Sequence, residues 1–296
     1  MSKLGTVITI HLVDGAPDGL RLVRTSNWNG EALVAPRSLY SKIRTRPDLQ
    51  RPAVYVLCGM SETTPGRHRL YIGQTDCAAD RIDRQIKKLD WWESLIVFTS
   101  TDATLNRAYV KHLEARLFDI ASSVKRAQLE YGQTPTLPSL STAEVAIVEG
   151  FLANMLLVYP ILGISAFEKV ESGVPLSDEY PILALSGKGA EAEGRDLPGG
   201  FVVYAGARAR RDAVQSIHPY LDSVRTELIS EGVLEDEDKS LRLTQDYTFS
   251  SPSNAAGVLL GRSANGRKEW RDQSGKTLKD IQEASLPASL CGEESE

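Results

Sequence analysis

The sequence predicts an α+β protein: a small antiparallel β-sheet flanked by helices, followed by a second, smaller α+β module. Three observations predict it. Between about residues 50 and 125, short β-favouring runs and helix-periodic segments follow in the order strand, strand, helix, strand, helix. The 296 residues exceed the roughly 100 to 200 of one typical domain. A stretch rich in Gly, Pro and charge, residues 171–198, reads as a linker between two folded parts.

From the N-terminus, Thr6 to Val13 alternates as a strand, turns at Asp14-Gly15 and resumes apolar character at Leu20 to Val23, which predicts a β-hairpin. This hairpin and a connecting stretch through Pro36 and Arg37 make an N-terminal extension, residues 1–49. Ala53 to Leu57 is a short β-favouring run ended by Gly59, and the turn Thr63-Thr64-Pro65-Gly66 leads into a second strand, Arg69 to Gln74. Ile82, Ile86 and Leu89 recur at helical spacing, predicting a helix over Ala78 to Leu89 with Asp76 as its N-cap. Trp91-Trp92, read as packing residues, precede a third strand, Leu95 to Thr99. A longer helix follows from about Ala103 to Ser123, burying Leu113, Leu117 and Ile120. These elements set the boundaries of a domain at residues 50–128.

A helical connector, 129–170, begins after the Pro-rich turn Pro135 to Pro138 with Ser141-Thr142-Ala143-Glu144, a capping-box pattern, and its helix is expected to stop at Tyr159. Beyond the linker, residues 199–286 read as the second module, with a strand at Phe201 to Tyr204 and a helix over Ala213 to Ser230. Residues 287–296 form an acidic tail.

Composition narrows the function classes. With 42% hydrophobic and 25% charged residues the chain resembles ordinary globular proteins. Met1 to Val13 lacks the apolar core and cleavage site of an export signal. The longest apolar stretch, Val145 to Phe167, is interrupted by Glu149, Asn154, Pro160 and Gly163; it reads as a buried helix, and no membrane partner is expected. Cys58, Cys77 and Cys291 are odd in number and contain no C-x-x-C, which argues against a disulfide framework or a zinc knuckle and favours the cytoplasm. The net charge of −5 is uneven: Glu31 to Arg126 holds sixteen Lys and Arg against eleven Asp and Glu, an excess of five positive charges. That excess favours nucleic-acid binding only weakly.

The chemically informative constellation is Val54-Tyr55-Val56, then Tyr71-Ile72-Gly73, then Arg81, then Glu114 in the run Leu113-Glu114-Ala115-Arg116-Leu117. From about Pro52 to Val124 it resembles the GIY-YIG nuclease family, with Ala53 at the first glycine of the family name. The resemblance implies a metal-dependent endonuclease acting on DNA. Glu114 would hold a single divalent cation, Mg²⁺ or also Mn²⁺, as its one carboxylate ligand, with water and phosphate oxygens completing the shell. Tyr55 would position or activate the attacking water, Tyr71 would line the site, and Gly73 would permit close backbone approach. Arg81 would clamp the scissile phosphate with its planar fork. Arg84 and Lys88 share its helical spacing, and His68 or Arg69 could add a proton donor or phosphate contact. Where many members carry an asparagine, the loop reads Tyr131-Gly132-Gln133-Thr134-Pro135 and no equivalent is assigned. His112, two residues before Glu114, faces away and reads as structural.

In the second module, Asp246-Tyr247-Thr248-Phe249-Ser250-Ser251-Pro252-Ser253-Asn254, Asn265-Gly266, Trp270 and Gly275-Lys276-Thr277-Leu278 resemble the uncharacterised DUF4357 domain, over about Gly199 to Ile281, and also RAMA-type domains of restriction and modification enzymes. That likeness implies DNA recognition, with Arg262, Arg267, Lys268 and Arg271 on phosphates and Trp270 stacking; the plain alternative is a basic loop over a buried tryptophan. Ser274-Gly275-Lys276-Thr277 mimics the end of a phosphate-binding loop, but Trp270 stands where its first glycine is required, so no nucleotide cofactor is expected. The rivals to a DNA nuclease are a binding protein or complex subunit that does not cleave, and an RNA nuclease, whose phosphate chemistry is the same.

Overall fold

A computed structural model describes residues 5–64, 66–102, 104–168 and 180–284. Within them the chain is α+β and forms two compact units, described separately below. The acidic tail at 287–296 and the first part of the expected linker, 171–179, lie outside the described residues.

In the first unit the predicted hairpin forms as β1 (Ile8–Leu12) and β2 (Arg21–Thr25), and β3 (Gly30–Pro36) follows. The core strands are β4 (Ala53–Met60), β5 (His68–Thr75) and β6 (Ser94–Ser100), with helix α1 (Tyr40–Ile43) before β4 and helix α2 (Ala78–Ile86) between β5 and β6 in sequence. Helix α3 (Arg107–Val124), strand β7 (Ala127–Glu130) and helix α4 (Thr142–Ile161) complete the unit. Among the described residues its sheet has seven strands in the order β1-β2-β3-β6-β4-β5-β7.

The expected N-terminal extension is therefore corrected. Strand β3 pairs along its whole length with β6, from Gly30 opposite Ser100 to Pro36 opposite Ser94, so the strands of residues 8–36 extend the central sheet. Nearly all of β3 is buried, which erases the polar–apolar alternation that marks a half-exposed strand. The sheet is also not wholly antiparallel, because β7 joins β5 in parallel, from His68 opposite Ala127 to Tyr71 opposite Glu130.

Both faces of β4 are covered. Val54 and Val56 point with Ile96 and Phe98 toward α3 and α4, while Tyr55 and Leu57 point with Val97 toward α1 and α2, where Ile82 and Trp92 pack. A strand buried on both faces reads as a continuous apolar run, as Ala53 to Leu57 does. Helix α3 starts at Arg107, later than expected, because the Asn106 side chain accepts from the Tyr109 N–H at 3.0 Å and sets the N-cap. It ends at Lys125, whose φ of 54° turns the chain out of the helix. Helix α2 is capped at Cys77, one residue after Asp76. The capping box of α4 is present, with Ser141 accepting from the Glu144 N–H and the Glu144 carboxylate accepting from the Ser141 N–H.

Helix α4 departs from the buried-helix reading. Val148, Phe151, Leu152, Met155 and Val158 pack into the core, but Ile147, Leu157 and Ile161 face outward. By length and composition alone α4 meets the requirement for a membrane span; a core-packed helix can meet it too. Across it, Glu149 accepts from Arg116 Nε at 2.7 Å and lies 2.7 Å from His112 Nε2, which fixes the rotation of α3 against α4.

The second unit contains β8 (Leu183–Gly187), β9 (Ala190–Leu197), β10 (Gly200–Val203), β11 (Arg208–Arg210), α5 (Pro219–Ser230), β12 (Leu234–Glu237), β13 (Ser240–Leu243), β14 (Tyr247–Phe249), α6 (Pro252–Leu260), α7 (Gly266–Glu269) and α8 (Leu278–Ala284). Its strands form a sheet in the order β12-β13-β11-β9-β10-β14, with β8 on β9. The linker expectation is thus overturned for residues 183–197. There Leu183, Leu185, Ala190 and Ala192 point inward while Ala184, Glu191 and Glu193 point outward, a period-2 pattern written in Ala and Glu, residues depleted in strands. Helix α5 starts at Pro219 rather than Ala213, with His218 as its N-cap.

Candidate active site

Strands β4 and β5 place Tyr55 directly opposite Gly73. The Tyr55 ring crosses the space a side chain at Gly73 would need: a Cβ there would lie 2.5 Å from Tyr55 Cζ and 2.6 Å from its Oη. The glycine is therefore required by the tyrosine, through packing alone. Gly73→Ala is expected to destabilise the first unit by about 1–3 kcal/mol through overpacking. Urea unfolding checks this, and a Gly73→Ala/Tyr55→Leu double variant should recover most of the loss.

Two residues before Gly73, on the same face of β5, Tyr71 packs its ring 6.1 Å from that of Tyr55. Its hydroxyl accepts from Gln85 Nε2 at 2.6 Å, which holds the phenol against α2. Arg81, one turn earlier on α2, neighbours both phenols. Tyr40 Oη donates to Asp83 at 2.7 Å, anchoring α2 to α1.

Glu114 arrives from the other face of the sheet. Because β7 pairs β5 only as far as Tyr71, the edge of β5 from Ile72 onward is open, and Glu114 on α3 reaches that edge. There the Gln74 backbone N–H faces its carboxylate, and Arg81 lies near enough to favour its charge. The result is a cleft of about 590 Å³ lined by Tyr71, Arg81, Lys88, Lys111, Glu114 and Phe118 among others, and closed on one side by residues 130–136.

Electrostatics distinguish the groups. Burial pushes the Glu114 carboxyl up to about 7, against the opposing pull of Arg81, the Gln74 N–H and Lys111. Burial also raises Tyr55 above the ordinary phenol value of 10.0, with the Tyr71 phenol adding to the effect and Arg81 failing to offset it. Tyr55 is therefore an uncharged phenol at neutral pH. It is fully buried beneath the cleft, with the Arg81 guanidinium and the Tyr71 phenol as the polar neighbours of its hydroxyl.

Other expected site residues are placed differently. His68 alternates to the face of β5 opposite Tyr71 and does not line the cleft; burial holds its imidazole below the usual 6.5. Arg69 is on the Tyr71 face but is engaged, bonding to Glu130 at 2.6 Å and stacking 4.6 Å over Trp91. Arg84 is exposed and outside the cleft; Gln85, one residue on, takes the inward position expected of it. Lys88 does line the cleft, from just past the end of α2. Sequence reasoning missed Lys111 and Phe118, whose spacing from Glu114 places all three on one stripe of α3, and it missed Glu130. Gln133, the residue of the loop Tyr131 to Pro135 that could stand in for the family's asparagine, also lines the cleft.

In the second unit the stacking expectation for Trp270 is corrected. The indole is fully buried, 4.4 Å from the Phe201 ring, and its Nε1 donates to the Pro252 carbonyl at 3.0 Å. Arg262 is paired with Glu269 at 2.8 Å, Arg267 bonds Gln282 at 2.7 Å, and Arg271 donates to the Gly275 carbonyl at 2.9 Å. Lys268 is exposed. In the loop 274–277 the Ser274 and Lys276 N–H groups both donate to Asp272 at 2.9 Å, so an internal carboxylate occupies the donors a phosphate would use.

Cation binding can be judged from the donor set. Among the described residues no group of three or more His, Cys, Asp or Glu converges, so a tetrahedral protein-ligated site is not formed. Of the two carboxylates lining the cleft, Glu130 is paired with Arg69, and the partly buried Glu114 fits a hard cation that keeps most of its water shell, as magnesium does.

Residues 183–282 match the family described as Domain of unknown function (DUF4357), and the chain carries that domain there. The match begins well before Gly199, within the stretch first read as linker. No curated protein and no solved structure matches the chain.

Proposed function

We propose that the first unit is an endonuclease that hydrolyses DNA phosphodiester bonds with one divalent cation, Mg²⁺ or Mn²⁺. The observation that carries this reading is the convergence of Tyr71, Arg81 and Glu114, from β5, α2 and α3, on one open cleft. Phosphodiester hydrolysis requires a positioned water and positive charge where the phosphate oxygens gather negative charge. Arg81 lines the cleft and supplies a planar fork for that charge. Glu114 would hold the cation, which when bound contributes further charge stabilisation and lowers the pKa of a bound water. Tyr71, held by Gln85, orients polar groups at the cleft wall. Tyr55, a neutral phenol, can position Arg81 or donate a hydrogen bond, and its burial argues against service as the base.

Conversion of supercoiled plasmid to nicked circles in Mg²⁺, Mn²⁺ or EDTA tests the reading. Cleavage in either metal and none in EDTA is expected. Because a proton competes for Glu114, apparent Mg²⁺ affinity should fall about tenfold per pH unit below about 7 and level off above it. A flat metal affinity between pH 5.5 and 8 would remove Glu114 as the ligand.

A further inference from the structure

We infer that Tyr131 is a stacking platform for an unpaired nucleobase beside the scissile phosphate, which makes the preferred substrate DNA with unpaired nucleotides, such as a single strand, gap or flap, over continuous duplex. The inference rests on the nuclease reading above and specifies its substrate class. Tyr131 lines the same cleft as Glu114 and Arg81, yet its side chain is 56% exposed. Its ring packs against Phe118 in an edge-to-face arrangement, with centroids 5.0 Å apart and planes at 78°. An edge-to-face contact fixes an aromatic ring while covering at most one of its faces. Phe118 is itself four residues beyond Glu114, about 6 Å further along α3, so the ring that contacts Tyr131 sits one helical turn from the carboxylate-bearing residue.

The surroundings complete such a subsite. Gln133, Thr134 and Thr136 also line the cleft, and their side chains make no hydrogen bond among the described residues, leaving amide and hydroxyl groups for base edges. Lys88 and Lys111 supply positive charge for flanking phosphates. At about 590 Å³ the cleft has the scale of a small-ligand pocket, enough for a nucleotide or two. In a continuous duplex both faces of every base are already stacked on neighbours, so only an unpaired or extruded base can use the Tyr131 face.

The test is equilibrium binding in EDTA, where metal-dependent cleavage is off, by fluorescence anisotropy of three labelled oligonucleotides of common sequence: single-stranded, flapped and fully duplex. Wild type, Tyr131→Ala and Tyr131→Phe are compared. For the single-stranded and flapped DNAs, Tyr131→Ala should raise Kd about tenfold, Tyr131→Phe should stay within about twofold, and duplex binding should not respond. A 2-aminopurine in the single strand should be quenched by wild type and by Tyr131→Phe but not by Tyr131→Ala. Unchanged single-strand affinity in Tyr131→Ala, or an equal loss on duplex, overturns the platform; thermal melting confirms that the variant is folded. Because binding is read without cleavage, absence of plasmid nicking would count against the nuclease reading while leaving these outcomes to decide the platform.

Discussion

Glu114→Gln is expected to reduce metal-dependent plasmid nicking by about three orders of magnitude or more, because charge stabilisation by a catalytic cation is worth several kcal/mol. The same substitution should make the protein more stable at high pH. Glu114 is raised from its ordinary 4.5 to about 7 by burial, so between those values the folded state holds a proton that the unfolded state has lost. Stability then falls as pH rises through this window and remains at its deficit above it. Glutamine carries no such penalty. Allowing for partial exposure to solvent, relief on the order of 2 kcal/mol at pH 8 corresponds to about 4–8 °C in melting temperature for a unit of this size, shrinking toward zero near pH 4.5. Added Mg²⁺ should raise the melting temperature of wild type and leave Glu114→Gln unmoved. Differential scanning fluorimetry across pH, with and without Mg²⁺, reads both effects, and a Glu114→Gln protein that cleaves normally would refute the assignment.

Arg81→Ala should lower kcat by about two to three orders of magnitude with less than about a tenfold change in KM, since a donor aimed at developing charge acts mainly in the transition state. Arg81→Lys retains the charge but loses the planar fork and should recover only part of the rate. A dominant rise in KM with kcat preserved would make Arg81 an anchor for bound DNA. Removing the guanidinium also deprives Tyr55 and Glu114 of the charge that opposes their upward shifts. The pH dependence of metal affinity in Arg81→Ala should accordingly move to higher pH, an effect that loss of packing alone would not produce.

How much of this was legible depended on the range of the interaction involved. The helix cap at Ser141 and the helical stripe of Leu113, Leu117 and Ile120 could be read directly, because each involves residues within a few positions along the chain. Tyr71, Arg81 and Glu114 could be singled out by residue type and order, but not shown to meet. That meeting depends on β7 stopping at Glu130 and leaving the β5 edge open for α3 to reach across. The same logic separates Gly73, whose partner Tyr55 is visible only in strand register, from a glycine serving a turn. Arg69, Arg262 and Arg271 looked available for phosphate because a sequence shows charge without showing partners; each is engaged by a nearby acid or carbonyl.

The sequence by itself determined the α+β class, most of the local elements of the first unit and the DUF4357 character of the C-terminal region, since local periodicity, capping and motif order are written in neighbouring residues. Only the tertiary structure decided that the strands of residues 8–36 belong to the central sheet, that residues 183–187 and 190–197 are strands, that Trp270 is core, and that Tyr71, Arg81 and Glu114 share a cleft with Tyr131. Those outcomes rest on strand pairing and burial between residues far apart in the chain, and such long-range contacts leave no period or spacing to read in advance.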